Sequence, residues 1–149
     1  MKTETSITPE KVISRVHKAA ELLKTRGQRG LSILRDPTSA FNEDDAYLFI
    51  IDVENSLVVS NPVFPERNGG NIREHPDWSG KRYGIELYDV AMKGGGWIEF
   101  VWPKPGTDKG VRKIAYIYPV PGLRYTVCSG IYNDTLSIDS LNSLSVTSR

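Results

Sequence analysis

"GGGWIEFVWPKPG", residues 94–106, decides how this chain is read. Three glycines lead into a segment with Trp97 and Trp102 at its two ends, followed by Pro-Lys-Pro-Gly. A glycine loop that cradles phosphate lies between a strand and the helix after it, because the helix N-terminus supplies the amides and the dipole. Here the order is reversed. Gly94, Gly95 and Gly96 follow a helical pattern and precede a strand pattern, and no Gly-Lys-Ser/Thr comes after them. They are expected to end a helix, release the chain into a strand and bind no nucleotide.

Reading outward, "KRYGIELYDVAMK" (81–93) places Tyr83, Leu87, Val90 and Ala91 on one helical face. Downstream, strands are expected at 97–102, 112–119 and 123–130, the last two joined through Pro121-Gly122, the pair a type II turn prefers. Upstream, "AYLFIIDV" (46–53) is rich in aromatic and branched residues, and Glu54-Asn55-Ser56 can turn it back into "LVVS" (57–60). Thr8-Pro9-Glu10 is a helix start, with a hydroxyl cap, proline at the first position and an acid in the first turn. Val12, Val16, Ala19, Ala20 and Leu23 recur at helical spacing and Gly27 supplies a stop, which predicts one helix over 9–26. Its apolar stripe packs on the sheet or on a second copy of the helix, so a homodimer through it is allowed. "LSILR" (31–35) adds a short helical turn before Pro37. Residues 61–80 form a long polar connection, of the length expected for a functional loop or lid. Residues 134–149 are Ser-rich and read as a frayed helix or tail, leaving 1–133 as the domain. The order is helix first, then five strands: an α+β domain.

Composition removes several classes of function. The chain has 149 residues, enough for one core, and 19 Lys plus Arg against 18 Asp plus Glu. That balance argues against general attraction to nucleic acid or anionic lipid. No apolar run approaches a membrane span, and no basic-then-apolar leader opens the sequence. The lone Cys128 excludes an internal disulfide and sits in an apolar strand without an activating base, as a buried small residue does. The two histidines, His17 and His75, have no spacing that pairs them on a metal. His17 lies at the border of the first helix's apolar face and reads as a packing or surface residue. Glu43-Asp44-Asp45 lacks calcium-loop spacing and reads as a solvated turn. Neither a metal, a cofactor nor a catalytic set is expected.

The strand faces carry more. Alternation sends Ile98, Phe100 and Trp102 one way and Trp97, Glu99 and Val101 the other. In "RKIAYIYP", Lys113, Ala115 and Ile117 share one face, and Ile114, Tyr116 and Tyr118 the other. A lysine therefore stands in an otherwise apolar strand beside a strand of large aromatics. An ammonium buried there needs a partner. Two readings follow: the stem lies along the sheet with its head in water, or the head meets the carboxylate of a small ligand walled by rings.

The chain resembles a single Cache domain of the short, PAS-like kind (Cache type 2) found in bacterial sensors. The resemblance rests on Phe41 ahead of "AYLFIID", then "NPVFPERNGGNI", "DWSG", "GGGWIEFVWPKP", "RKIAYIYPV" and "CSGIY", in the family's order over roughly residues 9–133. It implies a long N-terminal helix packed on a roughly five-stranded antiparallel sheet, with loops closing a ligand pocket on the sheet's other face. It also implies an extracytoplasmic sensor, periplasmic or secreted, for small organic ligands such as carboxylates or amino acids. In receptors such a domain precedes a membrane helix leading to a histidine kinase or chemoreceptor signalling part. Trp102, Lys113 and Tyr116 match the family's motif, and Tyr47 and Phe49 match its aromatic strand. Phe100 stands where the family often carries Tyr, and Asn61 falls where it often carries His. The ligand-binding set implied is thus Lys113, Trp102, Phe100, Tyr47, Phe49, Tyr116 and Asn61. The competing reading is an interaction or dimerisation module of the same fold whose pocket is filled by its own side chains.

Overall fold

The computed structural model describes residues 7–147. In chain order its elements are α1 (Pro9–Arg26), α2 (Gln28–Arg35), β1 (Leu48–Asp52), β2 (Leu57–Ser60), α3 (Tyr83–Met92), β3 (Gly96–Pro103), β4 (Gly110–Pro119), β5 (Tyr125–Tyr132) and α4 (Ile138–Thr147), with single 3-10 turns at Ala40–Asn42 and Pro65–Arg67. α1 has the limits its caps dictate. The Thr8 hydroxyl accepts from the Lys11 amide at 3.2 Å, and Gly27, at φ 54°, turns its N–H onto the Leu23 carbonyl.

The strands form one sheet in the order β2-β1-β5-β4-β3, every neighbouring pair antiparallel. Period-two alternation divides its side chains between two cores. Leu48, Ile50, Trp97, Ile114, Tyr116 and Val127 pack under the apolar stripe of α1, which contributes Val12, Val16, Ala19 and Leu23. Phe49, Ile51, Ile98, Phe100, Trp102, Ala115, Ile117 and Cys128 face the other way, toward Tyr83, Leu87 and Ala91 of α3. The architecture is the expected α+β one: a long helix on one face, a connection and a short helix closing the other. The α1 stripe is spent on the sheet. A second copy docking there would meet the exposed side, with Glu10, Ser14, Lys18 and Glu21.

Boundaries moved where tertiary bonds decide them. β5 begins two residues later than expected, because the turn through Pro121 and Gly122 is closed by Leu123 N–H on the Val120 carbonyl (3.1 Å), and Val120 N–H then reaches the Tyr125 carbonyl (2.9 Å). Gly122 has φ 81°, as the second central residue of a type II turn requires. Gly94 and Gly95, at φ 101° and 109°, carry the chain from α3 into β3, and the Gly95 N–H closes on the Val90 carbonyl at 2.9 Å. The acidic run at 43–45 is more than a solvated turn. Arg15 of α1 forks onto Asp44 at 2.7 and 2.8 Å and also donates to the Ala46 carbonyl, clamping the helix to the start of β1. The Ser-rich end does more than fray: Leu141 of α4 is buried, and the Asn142 side-chain oxygen accepts from the Trp97 amide at 2.8 Å. Residues 148 and 149 lie outside the described part.

Candidate functional site

The site is built around Lys113. It stands on β4, in register with Phe100 of β3 and Tyr132 of β5, so its stem runs between two aromatic side chains on the face away from α1. The head does not reach water: Lys113 is 1% exposed. Its Nζ lies 4.1 Å from the centre of the Tyr47 ring, 5.1 Å from Phe49 and 5.3 Å from Tyr132. Among the described residues no carboxylate comes within ion-pair distance of it. Burial brings its pKa down to about 7, against a smaller opposing pull from Cys128 and Asp45. The reading of Lys113 as a stem along the sheet with its head in solvent is therefore corrected. The lysine is on an inner strand, and Tyr47, Phe49 and Tyr132 surround its head.

A cavity of about 10 Å³ opens beside the ammonium, lined by Tyr47, Phe49, Asn61, Tyr83, Phe100, Trp102 and Lys113. That is room for about one water. The rings fill the rest of the space. Tyr83 stacks on Phe100 at 4.5 Å, and Trp102 takes Tyr83, Phe64 and Trp78 edge-on at 5.4, 5.6 and 4.8 Å. The Tyr47 hydroxyl is fully buried without a hydrogen-bond partner, facing Tyr132, Trp102 and Asn61. Burial holds the Tyr47, Tyr83 and Tyr132 hydroxyls and the Cys128 thiol well above their ordinary pKa, so these groups stay neutral.

The loop closing the cavity is pinned at both ends: near residue 77 by a buried carboxylate, and near residue 69 by the Gly69 N–H on the Val58 carbonyl (2.8 Å). Asp77 accepts from the Ser79, Lys81 and Val101 amides and the Ser79 hydroxyl, at 2.7 to 2.9 Å. Burial opposes its charge, but those donors outweigh it and keep its pKa below the usual carboxylate value. Gly84 allows the loop to lie on α3, because a Cβ there would overlap the Ile72 carbonyl. The segment 62–68 is held differently. The Asn61 side chain accepts from the Val63 and Phe64 amides, the Asn61 amide donates to the Asn68 side-chain oxygen at 2.7 Å, Phe64 meets Trp78 and Trp102 edge-on, and the Arg67 guanidinium lies over the Trp102 ring.

Six of the seven sequence-predicted residues thus meet at one place: Lys113, Trp102, Phe100, Tyr47, Phe49 and Asn61. Tyr116 does not. It is three residues from Lys113 on the same strand, so alternation puts it on the α1 face, where its hydroxyl lies 2.9 Å from His17 Nε2 and its ring 5.3 Å from Trp97. Sequence reasoning missed Tyr83 and Tyr132. Helical spacing puts Tyr83 on the buried face of its helix, and the cross-strand register that pairs Tyr132 with Lys113 is the signal that finds the other.

A long helix and a five-stranded antiparallel sheet, with an aromatic chamber under a loop on the far face, define a PAS-like sensor domain. The chain belongs to the Cache domain family, whose model matches residues 37–137. It is a small-molecule-binding sensor domain. Among solved structures it is similar to a Cache chemosensory domain described for its carboxylic acid recognition (26% identity, TM-score 0.70, covering 84% of this chain and 92% of that one). It is also similar in fold to a periplasmic sensor domain of a chemotaxis protein (24%, TM-score 0.71, 85% and 93%). A third likeness in fold is to a methyl-accepting chemotaxis protein from Vibrio parahaemolyticus RIMD 2210633 (22%, TM-score 0.62, 87% and 83%). No described helix is long and apolar enough to cross a membrane.

Proposed function

We propose that this chain is the extracytoplasmic recognition domain of a bacterial signalling receptor and that its ligand is a small carboxylate held by Lys113. The observation that carries the reading is the buried ammonium, ringed by Tyr47, Phe49 and Tyr132 and lacking a carboxylate partner among the described residues. An anion from outside supplies that partner, and the surrounding rings exclude water and strengthen the pairing. The Tyr47 hydroxyl offers a second donor to the same carboxylate. The similar Cache chemosensory domain that recognises carboxylic acids supports the ligand class. An amino acid fits less well than a simple carboxylate, since none of the seven lining residues carries an acid to meet its ammonium. The domain acts by binding, not catalysis. Ligand uptake requires the 62–68 segment to lift, because a cavity of about 10 Å³ does not hold a carboxylate and its chain.

One observation favours a second reading. The same small cavity describes a chamber filled by its own side chains, as in an interaction module with no ligand. A thermal-shift screen of small carboxylates, amino acids and amines separates the two. A ligand at one hundred times its Kd adds about 2.7 kcal/mol, which for a domain of this size raises Tm by about 5–10 °C. Carboxylates giving that shift support the sensor reading. A screen in which no carboxylate raises Tm leaves the self-filled module.

A further inference from the structure

A second cation borders the same chamber. Arg67, in the 3-10 turn of the covering loop, holds its guanidinium carbon 5.2 Å from the centre of the Trp102 ring and 5.7 Å from Trp78. The guanidinium carries five N–H donors in a planar fork suited to an acceptor such as a carboxylate. Among the described residues none hydrogen-bonds or ion-pairs with those donors. Three acids of this region are engaged elsewhere: Asp77 with the Ser79, Lys81 and Val101 amides, Glu99 with Arg112 at 2.9 Å, Glu86 with Lys81 at 2.7 Å. Glu66, beside Arg67 in the chain, is exposed and makes no ion pair among the described residues.

Trp102 belongs to both environments. One side of the aromatic cluster walls the Lys113 cavity, and Arg67 rests on the same indole from the loop. Tyr83, 5.4 Å from Trp102 and stacked on Phe100, continues the same aromatic wall. Lys113 thus lines the chamber, Arg67 lies against Trp102, one of the chamber's walls, and neither cation has an acidic partner among the described residues. A dianion with its charges at the two ends of a short chain matches that arrangement. A monoanion satisfies only one of the two cations.

Resting on the carboxylate reading above, we propose that the site selects dicarboxylates, with one carboxylate on the Lys113 ammonium and the other taken by the Arg67 guanidinium along its edge. Arg67 is the specificity-determining residue. It rides on the segment that has to lift for the ligand, so its closure over the distal carboxylate seals the occupied chamber. The planar fork makes Arg the suited residue, because it offers two parallel N–H donors to one carboxylate.

The test is calorimetry with succinate and butyrate, which have chains of the same length but two charges and one. Wild-type protein is expected to bind succinate about 10- to 100-fold more tightly than butyrate, the scale of one charge-assisted hydrogen-bonded pair. Arg67→Met, at a partly exposed position and with its fold checked by thermal melting, is expected to erase the preference and leave butyrate affinity unchanged. Arg67→Lys restores part of it. Lys113→Met is expected to weaken both ligands. If wild type binds the two equally, or if Arg67→Met keeps the preference, Arg67 has no such role, while loss of butyrate binding in Lys113→Met preserves the carboxylate reading. If wild type binds neither, the carboxylate reading itself is overturned and this inference falls with it.

Discussion

Carboxylate affinity is expected to fall about tenfold for each pH unit above 7, because the ammonium that receives the ligand titrates there. Lys113 has a pKa of about 7 in the folded chain. Below that value the charge is in place before the ligand arrives. Above it the site is mostly neutral amine, and binding has to draw a proton from solution, a penalty of about 1.4 kcal/mol per pH unit. The trend continues until pH passes the higher pKa that Lys113 acquires once paired. Tyr47, Tyr83, Tyr132 and Cys128 face the same space, and burial keeps each of them neutral through this window. A carboxylate ionised throughout keeps the ligand's own titration out of the result. Titrations at pH 6.5, 7.5 and 8.5 check this, and affinity that is flat across them contradicts it. Stability runs with a related sign. In the unfolded chain the lysine keeps its proton up to about 10.5, whereas the folded chain releases it at about 7. Between these values the folded state binds fewer protons, so the lysine's destabilising effect is full below pH 7 and is relieved as pH rises. Its size is on the order of a few kcal/mol.

Val16→Asp is expected to destabilise the domain by about 3–5 kcal/mol, a large share of the roughly 5–15 kcal/mol that holds a domain together. Val16 is fully buried in α1 and belongs to the cluster that includes Leu48, Ile50, Ile114 and Val127. An aspartate there loses its hydration, and the nearest arginine of the helix, Arg15, is already forked onto Asp44. The melting temperature should drop by about 6–20 °C. Val16→Ala leaves a cavity but no charge and should be milder. An unchanged melting temperature in Val16→Asp means that α1 does not dock through this stripe.

What was legible in the sequence was what local chemistry decides. α1 ends where its proline and glycine put the ends, and strand parity alone set Ile98, Phe100 and Trp102 on one face with Lys113 on the matching face of the next strand. Tyr116 shows the limit of motif matching. The motif named it, but the parity that placed it opposite Lys113 was the better guide to where its ring goes. Arg67 reaches Trp102 and Tyr132 reaches Lys113 through non-local events, the folding back of the loop onto Trp102 and the cross-strand register that the Pro121-Gly122 turn sets. Neither leaves a periodic trace. The burial of Lys113 is open for the same reason: a lysine in a strand looks alike in sequence whether or not aromatic rings distant in the chain close around its end.

The most direct test of the account compares wild type with Lys113→Met by calorimetry, using at pH 6.5 a carboxylate that raises the melting temperature of the wild type. Methionine keeps the stem and its contacts with Phe100 and Tyr132 while deleting the charge. Binding should weaken by about 1.5–3 kcal/mol, roughly 10- to 150-fold, and the variant should melt no lower than wild type, since the buried charge is gone. Equal affinity in the two proteins would place the carboxylate somewhere other than Lys113 and contradict the assignment.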